Sequence, residues 1–431
     1  MTNNQKPPKI FSGWWIVFAC SIVGFLGVGV ASSGLSVLFK PIAEELGLSR
    51  AAASIASGIQ SIGQGISGLG AGRATDRYGP RRIIIVGVVL MMIGLVAMHF
   101  VNSLWSFLLA WGLLVGTGFS FGCTFVTDTA IVKWFSRKSG IAINLKFAVQ
   151  SLSSLALLPI MALLTTSQGW RFTCVAAAAA IGAISLPLTW FLVKPHPPEH
   201  YGLRPDGDKE SEPDNTSNGQ NIRADDQEED CFTLKQAIKT RSYWLLTVMS
   251  YLSAAAAPIL SVHCIPFLTD RGIDSVKAAG MMAIILTSGV PARLITGFIL
   301  DRVKTVNLRF MIMTGYLLQS LGVVIFLISG SVFSIYLWFF FCGFGNGVTQ
   351  GTIIPSYARF FGRRSFGAIM GSTMFTNMPI AIVAPIYIGW IYDRTGSYMI
   401  AVTGLAVCCA LAGIVATFTK PPKRRVESGR A

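Results

Sequence analysis

Of 431 residues, 52% are hydrophobic and 13% charged, with a mean hydropathy of +0.58; a chain this apolar is excluded from the ordinary soluble domains and reads as a polytopic helical membrane protein. The net charge of +15 would suit a nucleic-acid binder, but the basic residues lie in short loops between apolar runs, so nucleic acid is excluded as a partner. Eight cysteines scattered mostly through those runs, without metal-ligand spacing, imply neither a disulfide framework nor a metal site, and no cofactor is expected.

In chain order, apolar runs long enough to cross about 30 Å of hydrocarbon lie near 13–39, 51–71, 83–101, 104–132, 139–165, 172–193, 243–268, 278–300, 310–329, 332–358, 367–391 and 399–419. Lys6 and Lys9 precede the first run, and no small-residue cleavage site ends it, so it reads as a retained span. A polar stretch from Lys194 to Arg241 divides the twelve spans six and six and reads as a disordered linker. The expectation is an all-α membrane protein of twelve transmembrane helices: a six-helix bundle over 1–193, a cytoplasmic linker over 194–241 and a second bundle over 242–431. Lys and Arg number 27 in the tails and loops on the side of the termini and 6 on the other. That bias puts both termini and the linker in the cytoplasm, so the Asn215-Thr-Ser sequon falls on the wrong side for glycosylation.

The halves repeat. Gly72-x-x-x-Asp76-Arg77 ends span 2, and Gly297-x-x-x-Asp301-Arg302 ends span 8, 225 residues later. Lys133-Trp-Phe-Ser-Arg-Lys-Ser precedes span 5, and Arg359-Phe-Phe-Gly-Arg-Arg-Ser precedes span 11, 226 residues later. Two landmarks with one spacing are the mark of a duplicated transporter. The run Gly72-Arg-Ala-Thr-Asp76-Arg77-Tyr-Gly79-Pro-Arg81-Arg82 resembles the loop 2-3 signature of the major facilitator superfamily at every defined position. The resemblance covers all twelve spans and implies the major facilitator fold and a rocker-switch carrier whose halves alternate access to a central site. It makes Gly72, Asp76, Arg77 and Arg81, with Gly297, Asp301 and Arg302 of the repeat, a conformational latch. A narrower resemblance, to the monocarboxylate porter and oxalate/formate antiporter branch, is carried by Gly13-Trp14-Trp15, the Trp134-Phe135-Ser-Arg-Lys loop, Pro266-Phe-Leu-Thr-Asp-Arg-Gly272 and Ala292-Arg293. It implies that Arg293 holds the substrate carboxylate. The chain departs from that branch at Gly289, where the porters carry Asp, and near Ser33, where they carry a Lys; the oxalate exchanger's span 11 lysine is also absent.

Arg293 lies about 12 Å of rise before Asp301, close to the bilayer midplane, where an arginine costs at least roughly 2.5–3.5 kcal/mol and does not face lipid. It is either one member of a structural ion pair or an anion-binding residue. Asp128, about 7 Å inside the membrane from Lys133, reads as an ion-pair latch with the signature arginines in preference to a proton site. With Asp128 so used, Arg293 has no acidic partner left, and a carboxylate substrate would supply the missing charge through a bidentate contact. Lys146, Gln150 and Ser153 or Ser154 share one helix face in span 5, which puts Lys146 either in the cavity or snorkelling to the interface. Asn346 and Gln350 form a similar stripe in span 10. With Asn377 of span 11 they complete the candidate substrate-binding set of Arg293, Lys146 and Gln150. His263, about 10 Å in from the outer end of span 7, belongs to that set as a candidate titrating group, with packing as the alternative.

No Ser-His-Asp order, paired free carboxylates or phosphate loop occurs in the spans, so no enzyme is expected. The sequence reads as a secondary active transporter of a small organic anion, a monocarboxylate, working as a monomer in a bacterial-type plasma membrane, the inner membrane. Proton symport and anion exchange both remain open, the proton being the candidate coupling ion. A drug/proton antiporter is the near alternative, although Leu157-Leu-Pro159-Ile-Met161 lacks the flanking glycines of its span 5 signature. A non-transporting sensor on a carrier fold is the distant one, and the linker's composition argues against it.

Overall fold

The computed structural model describes residues 11–47, 50–207, 232–261 and 263–422. Lys6, Lys9, the Asn215 sequon, Cys231 and most of the linker lie outside the described residues, as do the side chains of Pro258 and Pro266. Within them the regular structure is helical and, besides short helices such as Leu234–Ile238 and Cys264–Thr269, forms twelve rods: α1 (Ser12–Leu46), α2 (Arg50–Tyr78), α3 (Pro80–Phe100), α4 (Leu104–Trp134), α5 (Ser139–Gln168), α6 (Trp170–Leu192), α7 (Arg241–Ser261), α8 (Ser275–Leu300), α9 (Leu308–Ser329), α10 (Val332–Phe361), α11 (Phe366–Thr395) and α12 (Met399–Thr417). A helix satisfies its own backbone, which is the condition for crossing hydrocarbon. Ten of the rods are long and apolar enough to do so by composition over their described residues, and α2, with its Gly, Ser and Gln, is more polar. Its position explains it. α2 packs against α11 of the other half and α7 against α11 and α12, so the Gly, Ser and Gln of α2 meet protein instead of lipid.

Two rods depart from α-helical winding. Val28–Ser33 of α1 and Leu108–Val115 of α4 are π-helical, a winding that loosens the i to i+4 ladder and recurs at functional sites. The Gln60 amide answers one carbonyl there, donating to Ala31 O at 2.7 Å. α4 then breaks outright at Cys123 and Thr124, whose ψ angles are −8° and −131°. Between α2 and α3 the chain reverses at Gly79, with φ 84°, a conformation open to glycine, and Pro80 starts the next helix.

Among the described residues the halves meet along the end carrying the basic loops, here the basic face. There α2 lies on α11, α5 on α8 and α10, and α4 on α11. One hydrophobic core runs from the first half into the basic-face ends of the second, through Leu300, Tyr357, Phe361 and Phe366. A separate core, centred on Phe326 stacked on Trp338 at 4.9 Å, fills the opposite end of the second half alone. Small residues permit the closure. A Cβ at Gly72 would collide with the Gly367 carbonyl, and one at Gly371 with the Gly68 carbonyl. Close helix approach of this kind is what glycines four residues apart provide.

Candidate functional site

The closed basic face is held by carboxylates that reach from each half to a helix start in the other. Asp301, just beyond the apolar part of α8, accepts from the backbone N–H of Gly140 at 2.9 Å and Ile141 at 3.0 Å, at the first turn of α5. Asp76 accepts from Ala368 N at 2.9 Å, at the first turn of α11. The free N–H groups and positive dipole end of a helix suit an acid there. Each acid also meets a cation of its own half: Arg359 lies 3.2 Å from Asp301, and Lys133 lies 3.5 Å from Asp76. Arg359 and Lys133 open the two repeat landmarks, so the duplication reproduces acid, helix start and cation together. Burial pushes both carboxyls up from their ordinary value of 3.8, against the hydrogen bonds and cations that lower them. Gly297 fits the same seam, a Cβ there lying 3.0 Å from Asn144 and Ile141.

The arginines of the signature do other things. Arg77 lies over the Tyr78 ring at 5.3 Å and Arg81 over Trp190 at 4.2 Å, while Arg302 is exposed and meets no acid among the described residues. The expected pairing of Asp128 with Arg77 and Arg81 is therefore corrected. Asp128 is bound by Lys146, with Oδ1 to Nζ at 2.6 Å and both side chains all but fully buried. The reason is depth. Asp128 lies six residues before the end of α4 and Lys146 seven after the start of α5, so in two antiparallel neighbours they meet at one height. Lys146 also approaches Thr124 O at 3.5 Å, a carbonyl at the break in α4.

That placement corrects the polar stripe of α5 as well. Lys146 neither snorkels nor offers a free ammonium, and Gln150 is buried against Gly24, donating to Cys123 O at 3.4 Å. Ser154 meets Ser33 of α1 at 2.7 Å. The stripe faces α1 and α4, inside its own half, because those rods carry the opened backbone that its amide and ammonium can answer.

Arg293 reaches the other way, across the seam. Its Nη1 donates to Phe147 O of α5 at 3.1 Å, and its guanidinium lies 5.9 Å from the centre of the Phe147 ring. Nε is buried without a partner, and no carboxylate meets the group among the described residues. Nearby, Asn144 donates to Gly351 O at 2.9 Å, joining α5 to α10. α10 lies close on α8 here: a Cβ at Gly347 would sit 2.6 Å from Gly289 O, and one at Gly289 3.2 Å from Gly343 O. The helix contact thus leaves little room for an acidic side chain at position 289.

Asn346 and Gln350, on either side of Gly347, are half-buried and carry no hydrogen bond among the described residues. The Oδ1 of Asn377 is buried and also lacks a partner. His263 lies apart from Arg293, beside Pro385 O at 3.3 Å and the Tyr398 ring at 5.4 Å, where α7 meets α11 and α12. Its surroundings are those of a packing residue.

One residue that ties the basic loops together had no signal in the sequence. Asp206, at the start of the linker, accepts from three successive backbone N–H groups, Ser136 at 3.1 Å, Arg137 at 2.8 Å and Lys138 at 3.0 Å. It is the one non-glycine of positive φ among the described residues, at 64°. Glu199 crosses the seam to Arg363 at 3.3 Å, and Arg363 donates to Lys133 O at 3.3 Å.

The comparisons agree with this architecture. Residues 17–385 match the model of the Major Facilitator Superfamily. An uncharacterized MFS-type transporter of Bacillus subtilis (strain 168), YcxA, is 23% identical over 422 residues, 95% of each chain. Monocarboxylate transporter 11 of Mus musculus is 25% identical over 403 residues, 91% of this chain and 84% of that one. The crystal structure of the transporter FucP in the outward conformation superposes with a TM-score of 0.72 at 15% identity, over 95% of this chain and 100% of that one, a likeness of fold.

Proposed function

The chain belongs to the Major Facilitator Superfamily, and from that premise and the state of Arg293 we infer that it is a secondary active transporter of a small monocarboxylate, which the guanidinium binds. The observation that carries this reading is a buried arginine donor without a partner, on a side chain that meets a carbonyl but no acid among the described residues. A guanidinium presents a planar fork of donors matched to a carboxylate, and one carbonyl uses only part of it. The kinship to proteins named monocarboxylate transporters supports the same cargo. Asn346, Gln350 and Asn377 are the amides available to complete the site from α10 and α11.

Transport then proceeds by rocking of two six-helix halves, 1–193 and 242–431. The excess of Lys and Arg assigns the basic face to the cytoplasm, so the closed seam shuts the cytoplasmic side and Asp76 and Asp301 form its latch. The membrane is the plasma membrane, and either a proton or a counter-anion completes the cycle. The test is a thermal-shift screen of the purified protein against formate, acetate, lactate, pyruvate and oxalate, followed by counterflow in liposomes. Carboxylates stabilise the protein, and Arg293→Lys loses most of the counterflow because the charge remains while the fork goes. Stabilisation by amines or sugars alone, or undiminished counterflow in that variant, refutes the assignment.

A further inference from the structure

The buried pair Asp128–Lys146 is more than a strut. We propose that it is the proton-coupling site: protonation of Asp128 releases Lys146 to become a second cation for the anion that Arg293 holds. The inference rests on the carboxylate reading above and specifies how a proton joins the cycle.

Three observations carry it. First, both charges lie inside the first half, in contact at 2.6 Å and all but fully buried. Neither ion can leave the other without stranding an unpaired charge in a medium of low dielectric. Secondly, the backbone around them is opened: α4 is broken at Cys123 and Thr124, and the Thr124 carbonyl faces the ammonium. Irregular backbone at this depth is kept where it borders a polar path or a moving part. Thirdly, Phe147 couples the pair to Arg293. The Lys146 ammonium lies 4.6 Å and the Arg293 guanidinium 5.9 Å from the centre of that one ring, whose own carbonyl takes the arginine. The titratable groups facing the pair are Cys20 from α1 and Cys123 from α4, with Arg293 beyond Phe147 from α8.

The exchange balances. One proton from water adds to a carboxylate oxygen of Asp128, and the ammonium, still carrying its own protons, transfers its contact to the substrate carboxylate. One anion and one proton are then bound, and the site's net charge is unchanged. When the anion leaves on the other side, Lys146 returns and displaces the proton from Asp128 to water. Lys146 swings on a flexible four-carbon stem, which suits a mobile partner, while Arg293 holds a fixed fork.

The test uses the full chain in liposomes with lactate, or whichever acid of the panel exchanges fastest. Wild type accumulates the labelled acid under an inward proton gradient. In Asp128→Asn, accumulation falls at least tenfold while exchange persists and loses its pH dependence. Asp128→Glu restores gradient-driven accumulation at least in part. Equal loss of exchange and accumulation in a folded Asp128→Asn protein makes the pair structural, and full accumulation in that variant places the proton elsewhere; either overturns the proposal. Wild-type exchange that lacks any response to a proton gradient overturns it too, while leaving Arg293 as the anion site. Absence of exchange with every acid defeats the carboxylate reading itself and this inference with it.

Discussion

Replacing Asp301 by alanine or by asparagine separates two ways in which it can hold the basic face shut. Alanine removes the acceptor and leaves the N–H groups of Gly140 and Ile141 and the head of Arg359 without it. An orphaned buried donor costs about 1–3 kcal/mol. The site retains some access to water, the acid's side chain being 16% exposed, so the low end of that range applies and the total is about 3 kcal/mol. At 1.4 kcal/mol per factor of ten, closure weakens roughly 100-fold. Asparagine keeps one carbonyl oxygen for a backbone N–H, and it also escapes the desolvation that pushes the Asp301 carboxyl up. Its closure should stay within about tenfold of wild type. The assay is the modification rate of a cysteine placed at Thr296, which is buried beside Gly351 and Asn144 at the seam, by a membrane-impermeant maleimide in a cysteine-free background. The rate is proportional to the open population. An alanine variant that reacts no faster than wild type, or an asparagine variant that reacts as fast as alanine, refutes the argument.

Gly72→Ala sets a methyl group against the Gly367 carbonyl, so α2 and α11 must part. Spin labels at the exposed positions 73 and 364 should move apart, with transport reduced, and an unchanged distance distribution would contradict the close approach. Acid should act in the opposite sense to Gly72→Ala. Because burial raises the carboxyls of Asp76 and Asp301 when the face is closed, that state binds protons more tightly than an open state with hydrated acids. Closure is therefore favoured as pH falls toward the ordinary carboxylate value, and the gain is lost as pH rises through the raised values. The same label pair, read from about pH 8 to about pH 5, should shift toward the shorter distance.

Much of this architecture is legible in the sequence alone. The hydropathy runs locate the rods because each must satisfy its backbone alone, and the repeat of Asp76 and Asp301 locates the seam because both halves carry one gene-duplicated device. The partner of Asp128 differs from the expected arginines because residue count along a span fixes depth but not which neighbour lies on which side. Depth itself held the clue, since Asp128 and Lys146 are opposite charges at matching heights on consecutive antiparallel rods. The break in α4 has no proline to announce it; it shows in the ψ angles of Cys123 and Thr124 and in the bonds that Thr127, Lys146 and Gln150 make to their carbonyls. Asp206 was hidden for a different reason. A carboxylate in a polar, acidic stretch looks like solvated linker until its three backbone donors, some 70 residues earlier in the chain, are seen.

The two sides of the closed face are not equally fastened. Where α5 meets α8 and α10, one acid takes two backbone groups and a near guanidinium, and Asn144 and Arg293 add stitches of their own. Where α2 meets α11, the corresponding acid takes one backbone group and has a lysine at 3.5 Å, Arg363 bridges to Glu199 and to the Lys133 carbonyl, and a run of glycines supplies contact without side chains. Parting the first edge strands buried polar groups, whereas along its glycines the second loses only close packing. The two edges of one closed face thus resist opening by different means.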